Sequence, residues 1–231
     1  MPVALITGAS RGLGFEFARQ YVDDGWRVFA NMPRSEARQQ AATTGQGRWR
    51  QARHRRNGRD GLQERSHGSG ETQRRRHRSS HQLRGIAGVS GQKAGKVDYD
   101  SWAHVLDVNT MGPMRVIEGF TDQIARSGRR LVVTITSGMG SIGDNTSGGS
   151  MAYRSSKAAV NMAMRSAAID LAPQRITCVV VNPGWVKTDM GGPNATLTPQ
   201  ESVTALRRLI EKLGPDRSGK FFHYDGSEYP W

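Results

Sequence analysis

Three side chains in this 231-residue chain have the types and spacing to protonate a carbonyl oxygen: Ser137, Tyr153 and Lys157. Tyr153 and Lys157 lie four apart in a helix predicted from Met151 to Leu171, so they share one face about a turn apart. An unperturbed tyrosine titrates near pH ~10. A neighbouring ammonium is expected to lower that value, towards the range where the phenol works as general acid or base. Ser137 follows the apolar run Leu131-Val132-Val133-Thr134-Ile135, which predicts a buried strand. A hydroxyl at the carboxyl end of such a strand faces the crevice where open α/β sheets take their ligands. Ser141, a turn further on, is a rival hydroxyl. Tyrosine and lysine at this spacing are common on solvated helix faces, so the elements around them carry the weight.

Those elements alternate. Val3–Ile6 predicts a short strand, and Thr7-Gly8-Ala9-Ser10-Arg11-Gly12-Leu13-Gly14 a turn into a helix that runs to about Asp24. Gly8, Gly12 and Gly14 let the backbone approach a diphosphate, to which the helix start offers free N–H groups and a positive dipole. Arg27–Ala30 fits a second strand, whose end would meet an adenosine ribose. Asp100 or Ser101 is expected to cap a helix through about Arg126, with Trp102, Val105 and Ile117 on its apolar side and Asn109 within it. A strand over Ile176–Val181 ends at Pro183-Gly184. Thr198-Pro199-Gln200-Glu201 is a capping box that opens a helix to about Leu213. Lys220–Tyr224 reads as the last strand, and Tyr229-Pro230-Trp231 as an apolar tail packing near the substrate side. The alternation predicts a doubly wound parallel α/β sheet (Rossmann-like) in a single domain covering residues 1–231.

The length suits one domain with its own core. No run approaches the ~20 apolar residues of a membrane span, and the start lacks a signal-peptide layout, so a cytoplasmic location is expected. The single cysteine, Cys178, lies inside an apolar strand, which points to a buried thiol and a reducing compartment. No metal-ligand pattern stands out.

TGASRGLG, AYRSSKAA and PGWVKTDMGGP, in this order and at this spacing, resemble the short-chain dehydrogenase/reductase family. DNTSGG and the ending FFHYDGSEYPW are similar to its small carbonyl-reductase branch, that of the sniffer and C-factor proteins. The resemblance covers residues 1 to about 31 and about 87 to 231. It implies an NADP-dependent enzyme, with NAD as the alternative cofactor, that reduces an aldehyde or ketone to an alcohol or runs the reverse. On that resemblance Ser137 bonds the substrate carbonyl, Tyr153 donates the proton, and Lys157 holds the ribose hydroxyls. Asn109, in DVNTMGP, would hold a water against Lys157. The resemblance assigns Gly8, Ser10, Arg11, Gly12, Leu13 and Gly14 to the cofactor diphosphate, with Arg11 favouring a 2′-phosphate, and Pro183, Gly184, Val186 and Thr188 to the nicotinamide side. It further implies a homo-oligomer acting on a small-molecule carbonyl or alcohol, without membrane or nucleic acid as partner. The other reading is a cofactor-binding signalling protein resembling C-factor, with little turnover.

The resemblance fails in the middle. Residues 34–84 hold fourteen arginines against four acids, which accounts for +10 of the net charge of +13. They contain no Val, Ile, Phe or Tyr, so no strand of a buried sheet is expected there. The interval nevertheless has about the length that a helix, a strand, another helix and a further strand would occupy. Right length with wrong residue types is what a stretch read out of frame between two compensating shifts would give. Gly85-Ile86-Ala87-Gly88-Val89 stands where the family has Asn-Asn-Ala-Gly-Val, which puts restored frame at about Ala87. The competing readings are an Arg-rich arm that contacts nucleic-acid phosphates and a solvated insert. His54, His67, His77 and His81 receive no role.

Overall fold

The computed structural model describes residues 1–31, 50–51, 78–82 and 85–231. Seven strands form one sheet: β1 (Val3–Thr7), β2 (Arg27–Asn31), β3 (Arg50–Gln51), β4 (Arg78–Gln82), β5 (Leu131–Ile135), β6 (Thr177–Asn182) and β7 (Phe221–His223). Every neighbouring pair is parallel and the order is β3-β2-β1-β4-β5-β6-β7. The direction of winding therefore reverses between β1 and β4, and the crevice beyond their carboxyl ends is where such sheets bind ligands.

Parallel strands covered on both faces read as unbroken apolar runs, because both sets of alternating side chains are buried. In β5, Leu131, Val133 and Ile135 join the core under one layer of helices and Val132 joins the other; in β6, Val179 and Val181 face the first and Cys178 and Val180 the second. The first layer is α1 (Gly12–Asp23) and α5 (Pro199–Glu211), which bury Phe17, Tyr21, Val203 and Leu206. The second is α3 (Gly112–Ala125) and α4 (Met151–Asp170), contributing Ile117, Val160 and Met164. Each such side chain contributes about 1.5–3 kcal/mol by leaving water. Burial pushes the Cys178 thiol up to about 12, so it is inert.

Three local expectations are corrected. The helix carrying Asn109 is capped by Asp98, whose carboxylate accepts from the Ser101 N–H, and not by Asp100 or Ser101. That helix is not continuous: α2 (Tyr99–Leu106) passes through a π turn, Asp107–Met111, before α3 begins. A π turn inserts one residue and re-aims the side chains around it. Strands also occur where residue types argued against them, at Arg50–Gln51 and Arg78–Gln82. The physical reason is the ladder: β4 pairs with β1 on one side and β5 on the other, and parallel ladder bonds come from backbone groups common to every residue type. The rest of the Arg-rich stretch, with His54, His67 and His77, lies outside the described residues.

The Thr198–Glu201 capping box forms as expected. The Gly8–Gly14 turn is held by contact: Gly8 and Gly12 have positive φ, and a Cβ on Gly14 would lie 2.2 Å from the Gly8 carbonyl oxygen. Gly14→Ala should force α1 off the turn at an overpacking cost of about 1–3 kcal/mol. Urea unfolding should show a lower midpoint at unchanged slope; an unchanged midpoint would mean that α1 lifts away freely.

Candidate active site

At the end of β5 the chain leaves the sheet through Ser137 and tightens into a single helical turn, Gly138–Gly140. The Ser137 hydroxyl caps this turn, accepting from the Met139 N–H at 3.1 Å. A Cβ on Gly140 would come within 2.8 Å of the Lys157 backbone, so only glycine lets the turn lie flush against α4. That packing sets the Ser137 hydroxyl beside the Tyr153 phenol, and both line the same cleft. Ser141, the rival hydroxyl, is buried and accepts from the Asp144 N–H; it lines a separate cavity of about 370 Å³.

Lys157 lies one turn along α4 from Tyr153, as the spacing predicts. Lys157 is 5% exposed, and its ammonium donates to the Ile135 carbonyl at 3.2 Å. Burial pulls Lys157 down to about 8. The expectation that this ammonium lowers the Tyr153 phenol is corrected: burial raises Tyr153, and the hydrogen bond from Ser137 opposes that rise. Both groups share one poorly solvated recess, and desolvation favours the neutral form of each. Lys157 Nζ stands 5.7 Å from the centre of the Tyr153 ring.

Asn109 is 1% exposed in the π turn. Its Oδ1 accepts from the Ile86 N–H, and its Nδ2 donates to the Ile86 carbonyl and to Ser156 Oγ, each at 2.9 Å. Asn109 thus ties the segment after β4 to α4. A Cβ on Gly85 would sit 3.5 Å from both Asn109 Oδ1 and Lys157 Nζ, so glycine leaves open the space that these two polar atoms flank.

The recess opens into a cleft of about 970 Å³ that runs from the turn after β1 to the loop after β6. Gly8, Ser10, Arg11, Gly12, Leu13 and Gly14 form one wall. Pro183, Gly184, Val186 and Thr188 form the other, and Ser137, Tyr153 and Lys157 lie between. Asn109 alone of the expected residues stands behind the lining. Ser202 Oγ donates to the Pro183 carbonyl at 2.7 Å, which pins the far wall to α5. Across the mouth Arg11 Nη1 meets Asp189 Oδ2 at 2.8 Å, with both side chains well exposed.

Sequence reading missed several cleft residues: Met139, Trp185, Met190 and Asp189. Trp185 and Met190 follow Pro183-Gly184 so closely that the same motif could have flagged them. The Arg11–Asp189 pair spans 178 positions and left no local signal.

These features fit a dinucleotide. The glycine turn offers backbone N–H groups at a helix start, and Lys157 has three donors. Among the described residues no cluster of three His, Cys, Asp or Glu could hold a metal ion, and no helix is long and apolar enough to cross a membrane.

The short chain dehydrogenase family model matches residues 2–197. C-signal from Myxococcus xanthus is 48% identical over 147 residues, which cover 63% of this chain and 89% of that protein. The carbonyl reductase Sniffer of D. melanogaster superposes with a TM-score of 0.84 at 27% identity, covering 100% of both chains. A Burkholderia multivorans protein provisionally assigned as a short-chain dehydrogenase/reductase, with bound NADP, superposes with a TM-score of 0.77 at 28% identity, covering 100% of this chain and 99% of that one. The chain therefore belongs to the short-chain dehydrogenase/reductase family of oxidoreductases, in its carbonyl-reductase branch.

Proposed function

We propose that this protein is an NADP(H)-dependent oxidoreductase that reduces an aldehyde or ketone to the alcohol, or runs the reverse, on a small-molecule substrate. The observation that carries the reading is that Ser137, Tyr153 and the buried Lys157 line one cleft with the glycine turn, the Ser137 hydroxyl beside the Tyr153 phenol. The nicotinamide supplies hydride when bound. Ser137 orients the carbonyl by hydrogen bonding to its oxygen, and Tyr153 Oη gives that oxygen its proton. Burial holds the phenol above its ordinary value, so at neutral pH it carries the proton to be given. The phenolate left behind is stabilised by the Ser137 hydroxyl, and Lys157 carries its charge below about pH 8. Lys157's remaining donors fit the ribose hydroxyls. Asn109 steadies α4 and faces the space beside Lys157, where a bridging water would relay the proton. Gly8 to Gly14 would hold the diphosphate, with Val186 and Thr188 on the carboxamide side. Arg11 would take the 2′-phosphate once released from Asp189, and the NADP-bound relative supports that cofactor.

A second reading, cofactor occupancy without turnover in a signalling protein, is supported by the similarity to C-signal. A cytoplasmic homo-oligomer remains part of the proposal.

Tyr153→Phe removes the donated proton and keeps the ring. Turnover should fall about 10²- to 10⁴-fold while the NADPH dissociation constant stays nearly the same; a variant with full rate would overturn the assignment.

Lys157→Met should uncouple stability from activity. An unfolded lysine titrates near 10.5 and the folded one near 8, so between these values the unfolded chain binds more protons and stability rises with pH. Below about 8 both states are protonated and the burial cost is fully present, on the order of 3 kcal/mol. At neutral pH the variant should unfold at higher denaturant than the parent and lose turnover, with the stability gain shrinking as pH approaches 10.5. A destabilised variant would show that the ammonium is held by favourable contacts instead.

A further inference from the structure

The turn that places Ser137 is gripped from two sides. One side is α4, already described. The other is the stretch after β7. A Cβ on Gly138 would lie 2.8 Å from the Tyr229 hydroxyl oxygen and 3.1 Å from Asn182 Nδ2, so both polar atoms press on the turn where it leaves Ser137. The Tyr229 hydroxyl donates to Asp144 Oδ2 at 2.8 Å, six residues beyond Gly138. The Asp144 N–H in turn donates to Ser141 Oγ at 3.1 Å. One phenol thus touches the segment from Ser137 to Asp144 near both of its ends.

Tyr229 is itself well anchored. Its N–H donates to the Phe221 carbonyl at 2.7 Å, and its ring packs on Phe221 at 5.0 Å and on His223 at 5.4 Å. His223 Nδ1 hydrogen-bonds to Asn182 Nδ2 at 2.9 Å, which fixes the second atom pressing on Gly138. The Ile142 N–H also donates to the Trp231 carbonyl, so the segment after Ser137 is tied to this tail twice.

We propose that Tyr229 is a positioning residue for the reaction: its hydroxyl, wedged between Gly138 and Asp144, sets the turn whose Met139 N–H orients the Ser137 hydroxyl. The inference rests on the role proposed for Ser137. It adds that the reaction geometry is completed by an element far along the chain from Ser137 and from the Tyr153–Lys157 helix. Displacing the turn by a fraction of an ångström leaves the cleft open to cofactor and moves Ser137 relative to Tyr153, so the effect falls on turnover.

The test is a kinetic cycle with three variants. Tyr229→Phe keeps the ring packing and removes the hydroxyl; it should lower kcat about ten- to a hundredfold, with the NADPH dissociation constant and unfolding midpoint little changed. Gly138→Ala should produce a similar loss, because its methyl strikes the Tyr229 hydroxyl. In the double variant the 2.8 Å clash with the hydroxyl is gone and only the tighter-than-usual contacts with Asn182 Nδ2 at 3.1 Å and the ring carbon at 3.3 Å remain, so the two losses should combine to less than their product. If Tyr229→Phe lowers the unfolding midpoint, Gly138→Ala and Asp144→Ala, which leave the ring intact, carry the comparison. Full kcat in Tyr229→Phe, losses that multiply, or a defect confined to NADPH binding would each overturn the proposal. Tyr153→Phe, measured alongside, separates the two claims. If it is inactive while Tyr229→Phe is normal, only the positioning role fails; if it is fully active, the reductase reading itself fails.

Discussion

A lysine ammonium held almost out of water is the constraint around which this structure makes sense. Lys157 is enclosed by β5, the turn after Ser137 and α4, and it has one backbone carbonyl in reach. Burying a charge so sparsely bonded lowers stability, and its pKa records that cost as a fall to about 8. Such a charge gains from any further acceptor that reaches it. The space beside it is open because Gly85 has no side chain, and Asn109 faces it from the opposite side.

The sheet turns that constraint into a site. Because winding reverses between β1 and β4, the glycine turn after β1 and the segment after β4 diverge at their carboxyl ends. Ser137 is delivered by β5, the far wall by β6, and Tyr153 with Lys157 by α4. Each wall is fixed by something other than the cleft: Gly14 against the Gly8 carbonyl, Ser202 on the Pro183 carbonyl, Asn109 on Ile86. The walls are thus fixed independently of one another, and Arg11 and Asp189 meet across the mouth.

Much of this was legible in the sequence, for identifiable reasons. β5 and β6 are unbroken apolar runs because both faces are covered, and the glycine turn and the capping box at Thr198 are local chemistry. What could not be read was non-local or lacked a period. Asp98, Asp100 and Ser101 are all competent caps, and only geometry chooses Asp98. A π turn has no signature in hydrophobic spacing, so the break around Asn109 was invisible. β4 occupies a slot defined by β1 and β5, and its Arg-Ser-Ser-His-Gln residues argue for anything but a central strand. A fall in the Tyr153 pKa was expected from charge proximity alone, whereas desolvation raises it and Ser137, not Lys157, opposes the rise.

The measurement that reaches the central claim most directly is NADPH oxidation by the purified protein across a panel of aldehydes and ketones, run beside a titration of NADPH binding. The account predicts saturable consumption of NADPH with at least one class of carbonyl compound, with the matching alcohol as product. Tight NADPH binding without consumption across the whole panel would contradict it, and would favour a protein in which occupancy of the cleft is itself the signal.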